Sequence, residues 1–323
     1  MNRRQTIPKH LRYTINDFNR QFPDDEACFE HLREQRFPNG IAYCETCKRE
    51  CQHHRVKGRP VYGCDECLTQ ISPMAGTIFE HSSTSLRLWY YAMYLMASTR
   101  CGISAKQIQR ETGVTYKTAW RMFRQIRSLL SEGDMQLEGE AVEIDETYYG
   151  GKRKGGRGRQ LRNDKGEEMY APVFGMVERK GRVRAFATPN VKSSTLLPIV
   201  RDYVLPKSTI FTDEYKVYGG IKNMKKGYTH RRIKHKAHVY VRGNVHTNTI
   251  EGFWSLVKRG IGGVYHQVST KYLQSYLDEY TFRYNRRDQG NLIFTSLLKR
   301  VAELAVLPVA KAREMNPAKV DAF

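Results

Sequence analysis

The stretch AVEIDETYY, residues 141–149, alternates Val142 and Ile144 with Glu143 and Asp145, and this period of two predicts a β-strand with an acidic face. Three more stretches of strand character follow: APVFGMV at 171–177, VRAFAT at 183–188, and TIFT at 209–212, which runs into Asp213. Helical text near 193–204 precedes the last of them. Three consecutive strands, a helix and a further strand predict a mixed sheet, with the helical text towards the C-terminus packing on it. Before about residue 135 the chain reads as helical and cysteine-rich, which places a domain boundary there.

The acidic residues of this sheet carry the candidate chemistry. Asp145 lies within the first strand and Asp213 ends the strand after the helix; a strand-helix-strand crossover permits these strands to be neighbours, with both carboxylates at one end of the sheet. Hard oxygen ligands on a rigid element suit Mg2+ or Mn2+, ions that keep positions open for phosphate oxygens. Two such ions about 4 Å apart can clamp the attacking and leaving oxygens of a displacement at phosphorus. Glu143 shares the strand face of Asp145, and Glu146 points the other way; both read as solvated or salt-bridged.

A third piece is HTNTIEGFWSLVK, residues 246–258. On a helix, Ile250, Trp254 and Val257 form one apolar stripe, while Glu251, Ser255 and Lys258 share another face. Glu251 could then reach the metals and Lys258 a phosphate. The same text is equally explained by Asn248 as N-cap with Glu251 as its capping-box partner.

Upstream, residues 103–111, a stop at Thr112-Gly113 and a segment starting at Thr115 predict a short helix, a glycine turn and a second helix. That is the helix-turn-helix signature, with Tyr116, Lys117, Arg121 and Arg124 placed to face a major groove. Residues 85–97 are too densely apolar for a half-buried strand and too short for a membrane span, so they predict a buried helix. Pro23 and the acids after it predict a helix start, with Cys28 as a small core residue. Cys44-Glu45-Thr46-Cys47 and Cys64-Asp65-Glu66-Cys67, 16 residues apart, match a closed tetrahedral four-thiolate Zn2+ site. Cys51, His53 and His54 in the spacer are the alternative ligands.

The 323 residues exceed one core's usual limit of roughly 250 to 300. With 54 Lys+Arg against 33 Asp+Glu, the formal net charge of +21 is spread along the chain and points to an extended polyanion, nucleic acid before a membrane surface. No stretch approaches the roughly 20 apolar residues of a spanning helix, so the chain reads as soluble and cytoplasmic. Neither a Walker-type loop nor an H-E-x-x-H cluster occurs, and no nucleotide cofactor is expected. The basic run at 150–157, with Lys152, Arg153, Lys154 and Arg157, reads as a hairpin tip that meets DNA.

The order of these parts resembles the ISXO-type insertion-sequence transposases of the DDE kind. The text carrying the likeness is CETC, CDEC, GTIFEHSSTSLRLW, GISAKQIQRETGVTYKTAWRM, EIDETYYGGK, FTDEY and HTNTIEGFWSLVKRGIGGVYHQVSTKYLQSYLDEYTFRYNRR. The resemblance implies a multidomain α+β protein: helix plus zinc ribbon at 14–80, a helix-turn-helix DNA-binding domain at 81–134, a ribonuclease H-like mixed α/β catalytic domain at 135–304 and a tail at 305–323. It implies binding of double-stranded DNA ends and target by a homo-oligomer, structural Zn2+ on Cys44, Cys47, Cys64 and Cys67, and strand cleavage and transfer with two Mg2+ or Mn2+ ions. Asp145 and Asp213 would hold those ions with Glu251 as third ligand, and Lys258 would touch DNA. Because such proteins vary at the third position, with Asn in place of an acid, Asn248 stays in contention. A zinc-ribbon, helix-turn-helix regulator without catalysis and a structure-specific nuclease of the same fold are the alternative readings.

Overall fold

The computed structural model describes residue 8 and residues 11–99, 101–150, 170–232 and 247–304. They form two compact units: Leu130–Asp288 is one, and the residues up to Leu129 together with those from Gln289 onward are the other.

In the first unit, α1 (Ile15–Gln21) starts with a reciprocal capping box between Thr14 and Asp17, and α2 (Asp25–Arg36) starts where the Asp24 carboxylate accepts the Ala27 N–H. A four-stranded antiparallel sheet follows in the order β1 (Ile41–Cys44), β2 (Arg49–Arg55), β3 (Tyr62–Cys64) and β4 (Gln70–Ile71). The apolar text near residue 90 forms α3 (Leu86–Ser98), in which Trp89, Tyr90, Ala92 and Met93 are buried. The pair α4 (Ala105–Thr112) and α5 (Tyr116–Ser128) is capped by Ser104 and Thr115. It turns at Gly113, whose φ of +71° is left-handed backbone that glycine adopts without steric cost.

The last helix, α9 (Ile293–Leu304), belongs to this first unit, whereas the resemblance to the family implies a domain running from 135 to 304. The ring of Phe294 lies 5.8 Å from that of Phe18, 6.0 Å from Phe22 and 5.9 Å from Tyr94, and Arg300 Nη1 donates to the Leu129 carbonyl at 2.8 Å. An apolar stripe announces that a helix face is buried and says nothing of what buries it.

The second unit is built on a mixed sheet of order β7-β6-β5-β8-β9, with β5 (Ala141–Gly150), β6 (Tyr170–Glu178), β7 (Val183–Ala187), β8 (Thr209–Thr212) and β9 (Thr229–Arg232). The first three form an antiparallel meander, whereas β8 runs parallel to β5 and β9 parallel to β8. Two faces result. On one, Val142, Ile144, Phe174 and Met176 pack with Leu196 and Val200 of α6 (Ser193–Tyr203) and with Tyr218 and Ile221. On the other lie α7 (Asn248–Gly260) and α8 (Leu273–Asn285), which buries Leu273, Tyr276, Leu277 and Tyr280 as core residues. The outer edge of β7 is closed by α8: Gln274 Oε1 accepts the Ala187 N–H at 2.8 Å and Asn285 Oδ1 the Val183 N–H at 2.7 Å. No helix among the described residues is long and apolar enough to cross a membrane.

Candidate functional site

Strand register brings the two aspartates together. Along β5 and β8 the partners are Ala141 with Thr209, Val142 with Ile210 and Glu143 with Phe211; two more residues in the same register set Asp145 beside Asp213. The Asp145 carboxyl is pushed up to about 7, first by burial and then by the negative charges of Glu146 and Asp213. Asp213 is half-buried, and its Oδ1 accepts the Tyr215 N–H at 2.9 Å, which holds the turn after β8. Glu146 points to the opposite sheet face, where it accepts a hydrogen bond from the Tyr218 hydroxyl; burial raises its carboxyl too. His230 of β9 meets Thr212 Oγ1 through Nε2 at 2.9 Å, and burial with the charges of Arg232 and Lys222 pushes it down to about 4.

Across from Asp145 in the sheet stands Gly175. A Cβ there would overlap the ring of Trp254 and crowd Ile250, so the bare glycine is what lets α7 settle on this face. Trp254 then donates its indole N–H to Asp145 Oδ2 at 3.1 Å. Ile250, Phe253, Trp254 and Val257 of α7 are buried, while Asn248, Glu251, Ser255 and Lys258 are exposed, as the periodicity of 246–258 implied.

The start of α7 differs from the capping-box alternative. Thr247 occupies the N-cap position and Asn248 the first helical one, so Asn248 is not the cap and Glu251, fourth in the helix, falls one place too far along to close a box with Thr247. Glu251 instead accepts the Thr247 hydroxyl at 3.1 Å. The capping carboxylate comes from the sheet: Glu143 Oε2 accepts the N–H groups of Thr249 at 2.8 Å and Ile250 at 3.1 Å. Sequence reasoning missed this role; the available signal was that Glu143 shares the face of Asp145.

Among the described residues, Asp145, Asp213 and Glu251 are not drawn into one group of ligand atoms within 4.8 Å, whereas Cys44, Cys47, Cys64 and Cys67 are. The sulfurs of Cys44 and Cys67 are 3.4 Å apart and those of Cys47 and Cys64 3.9 Å. Tetrahedral zinc at roughly 2.3 Å from each sulfur requires separations of about 3.8 Å, so the donors fit that ion. His53 and His54 point elsewhere, to the Cys51 carbonyl at 2.9 Å and to Asp65 Oδ2 at 3.0 Å, and Cys51 lies beside Cys47 and Glu66 in a second, overlapping group.

Residues 136–285 match the ISXO2-like transposase domain and residues 23–70 the transposase zinc-ribbon domain. An uncharacterized protein in transposable element ISH50 of Halobacterium salinarum is 30% identical over 273 residues, covering 79% of this chain and 90% of the relative. The chain belongs to the ISXO2-like transposases. An uncharacterized transposase-like protein of Haemophilus influenzae is 31% identical over 124 residues, which are 38% of this chain and 96% of that protein. Both the zinc-ribbon cysteines and the Asp145–Asp213 pair of this transposase fall inside the matched segments.

Of the residues read as DNA contacts, Tyr116, Lys117, Arg121 and Arg124 are exposed on α5. Lys106 sits 4.5 Å from the Tyr116 ring centroid, and Arg121 Nη2 donates to the Glu80 carbonyl at 3.2 Å. Lys152, Arg153, Lys154 and Arg157 lie outside the described residues, as do His246 and the tail from 305.

Proposed function

We propose that this transposase binds the ends of its mobile element and cuts and rejoins DNA at a centre built on Asp145, Asp213 and Glu251. The observation that carries this reading is the placement of Asp145 on β5 and of Asp213 just past the end of the adjacent parallel strand β8, where burial and the neighbouring carboxylates disfavour the charge on Asp145 and so favour a bound cation. The sheet order β7-β6-β5-β8-β9, three antiparallel strands followed by two parallel ones, supports a ribonuclease H-like catalytic domain. Mg2+ or Mn2+ bound there would supply electrostatic stabilisation to the attacking and leaving oxygens of a phosphoryl transfer.

The chain's own residues do the rest. Asp145 is oriented by Trp254, and Asp213 is held in its turn by the Tyr215 N–H. Glu251 closes on the pair as the third carboxylate when DNA is engaged, and Asn248, on the same exposed turn, is the alternative donor. Lys258, two turns along the Glu251 face, steadies a backbone phosphate. The same site hydrolyses the element end to a free 3′ hydroxyl and then directs that hydroxyl at target DNA, with no covalent protein intermediate. The pair α4 and α5, turning at Gly113, serves as a helix-turn-helix that reads the double-stranded end, and zinc on the four cysteines holds the ribbon. The active complex is a homo-oligomer in the cytoplasm.

The test is strand cleavage and joining of element-end DNA by Asp145→Asn and Asp213→Asn proteins. Both activities are lost while end binding persists. Cleavage without joining by the wild type would reveal a nuclease, and wild-type inactivity with specific end binding a regulator.

A further inference from the structure

Glu143 is fully buried, yet it carries a carboxylate two residues from Asp145 on the same face of β5. Polar groups from two segments of the chain converge on it. Arg179 Nε donates at 2.8 Å, the Thr249 and Ile250 N–H groups at 2.8 and 3.1 Å, and Thr249 Oγ1 at 3.0 Å. The acceptor thus sits at the N-terminus of α7, where unsatisfied N–H groups and the helix dipole favour negative charge. Thr247, the residue at the N-cap position, turns its hydroxyl to Glu251 and makes no cap hydrogen bond.

Arg179 extends the link. Its backbone N–H donates to the Ala141 carbonyl of β5 at 3.0 Å, and its guanidinium carbon lies 3.9 Å from the ring centroid of Phe211, the β8 residue two before Asp213. One carboxylate on β5, the strand of Asp145, thus ties directly to the first turn of α7 with Asn248 and Glu251, and through Arg179 to Phe211 of β8, the strand that leads into Asp213.

We infer that Glu143 is a positioning residue that pins the start of α7 to the sheet and thereby sets the reach of Glu251 to the Asp145–Asp213 pair. This rests on the catalytic reading proposed above. A short tie from a buried strand residue to the helix N-terminus restricts the helix where the third ligand must arrive, and residues that orient ligands without touching metal govern affinity strongly.

The test uses the full-length protein and cleavage of element-end DNA titrated with Mn2+, with Asp145→Asn as reference. Glu143→Gln keeps a neutral acceptor but loses the charge. It is expected to raise the Mn2+ concentration for half-maximal cleavage by about 10- to 100-fold while end binding without metal stays at the wild-type level. Should that variant fold poorly, Thr249→Val removes a single hydrogen bond and is expected to raise the requirement in the same direction, about threefold or more. An unchanged Mn2+ requirement in the soluble variants, with or without a lowered melting temperature, overturns the inference while an inactive Asp145→Asn leaves the catalytic reading standing. An active Asp145→Asn protein would sink both.

Discussion

The Trp254 indole N–H donates to Asp145 Oδ2 at 3.1 Å across the gap left by Gly175. A helix residue thus orients a strand carboxylate 109 positions away, and the glycine opposite Asp145 makes room for the ring that does it. Trp254→Phe retains most of the apolar bulk and removes the donor. Cleavage should fall about tenfold or more with the melting temperature nearly unchanged. Gly175→Ala acts on packing instead: its methyl group displaces Trp254, and thermal or urea unfolding should show a loss of about 1 to 3 kcal/mol. Equal loss of stability in both variants would contradict the division of roles.

Glu251 and Asn248 can now be separated experimentally. Because no capping box joins them, Asn248→Ala removes an exposed side chain from the first helical position without removing a cap. Glu251→Gln should depress strand cleavage by orders of magnitude, about 10²-fold or more, with little change in unfolding. Asn248→Ala should leave cleavage within a few-fold of wild type. The reverse ranking assigns the third position to Asn248.

Acid should weaken the second unit through His230. Its folded value of about 4 lies below the ordinary 6.5, so between these values the unfolded chain takes up a proton that the folded one refuses. Stability from this group is present in full above about pH 6.5 and is lost as pH falls towards 4. His230→Gln retains a partner for Thr212 Oγ1 and removes the titration, so its melting temperature should decline less than that of the wild type over this window. Parallel curves would show that His230 does not contribute.

Zinc should be present at about one ion per chain under reducing conditions, measured by elemental analysis. Cys64→Ala removes a fully buried sulfur from the cluster, and the variant should lose the ion and the protease resistance of residues 23–70. His53→Ala and His54→Ala should keep it, since both rings are turned to other partners.

Local structure was legible residue by residue. The C-x-x-C spacing, the helix start at Pro23 and the acids after it, the segment start at Thr115, the left-handed Gly113 and the alternation in 141–149 all act over a few positions, within which side chain and backbone meet whatever the rest of the chain does. The buried stripe of α7 was legible for the same reason. The partners of those faces were not. That β8 lies against β5, that Phe294 of α9 joins Phe18 and Phe22, and that Glu143 caps a helix 106 residues away depend on which buried faces complement one another in shape and polarity. Periodicity records that a surface is buried, and a charge in a strand records only its face; the carboxylate of Glu143 became a cap because packing brought the open N–H groups of α7 within hydrogen-bond distance of it.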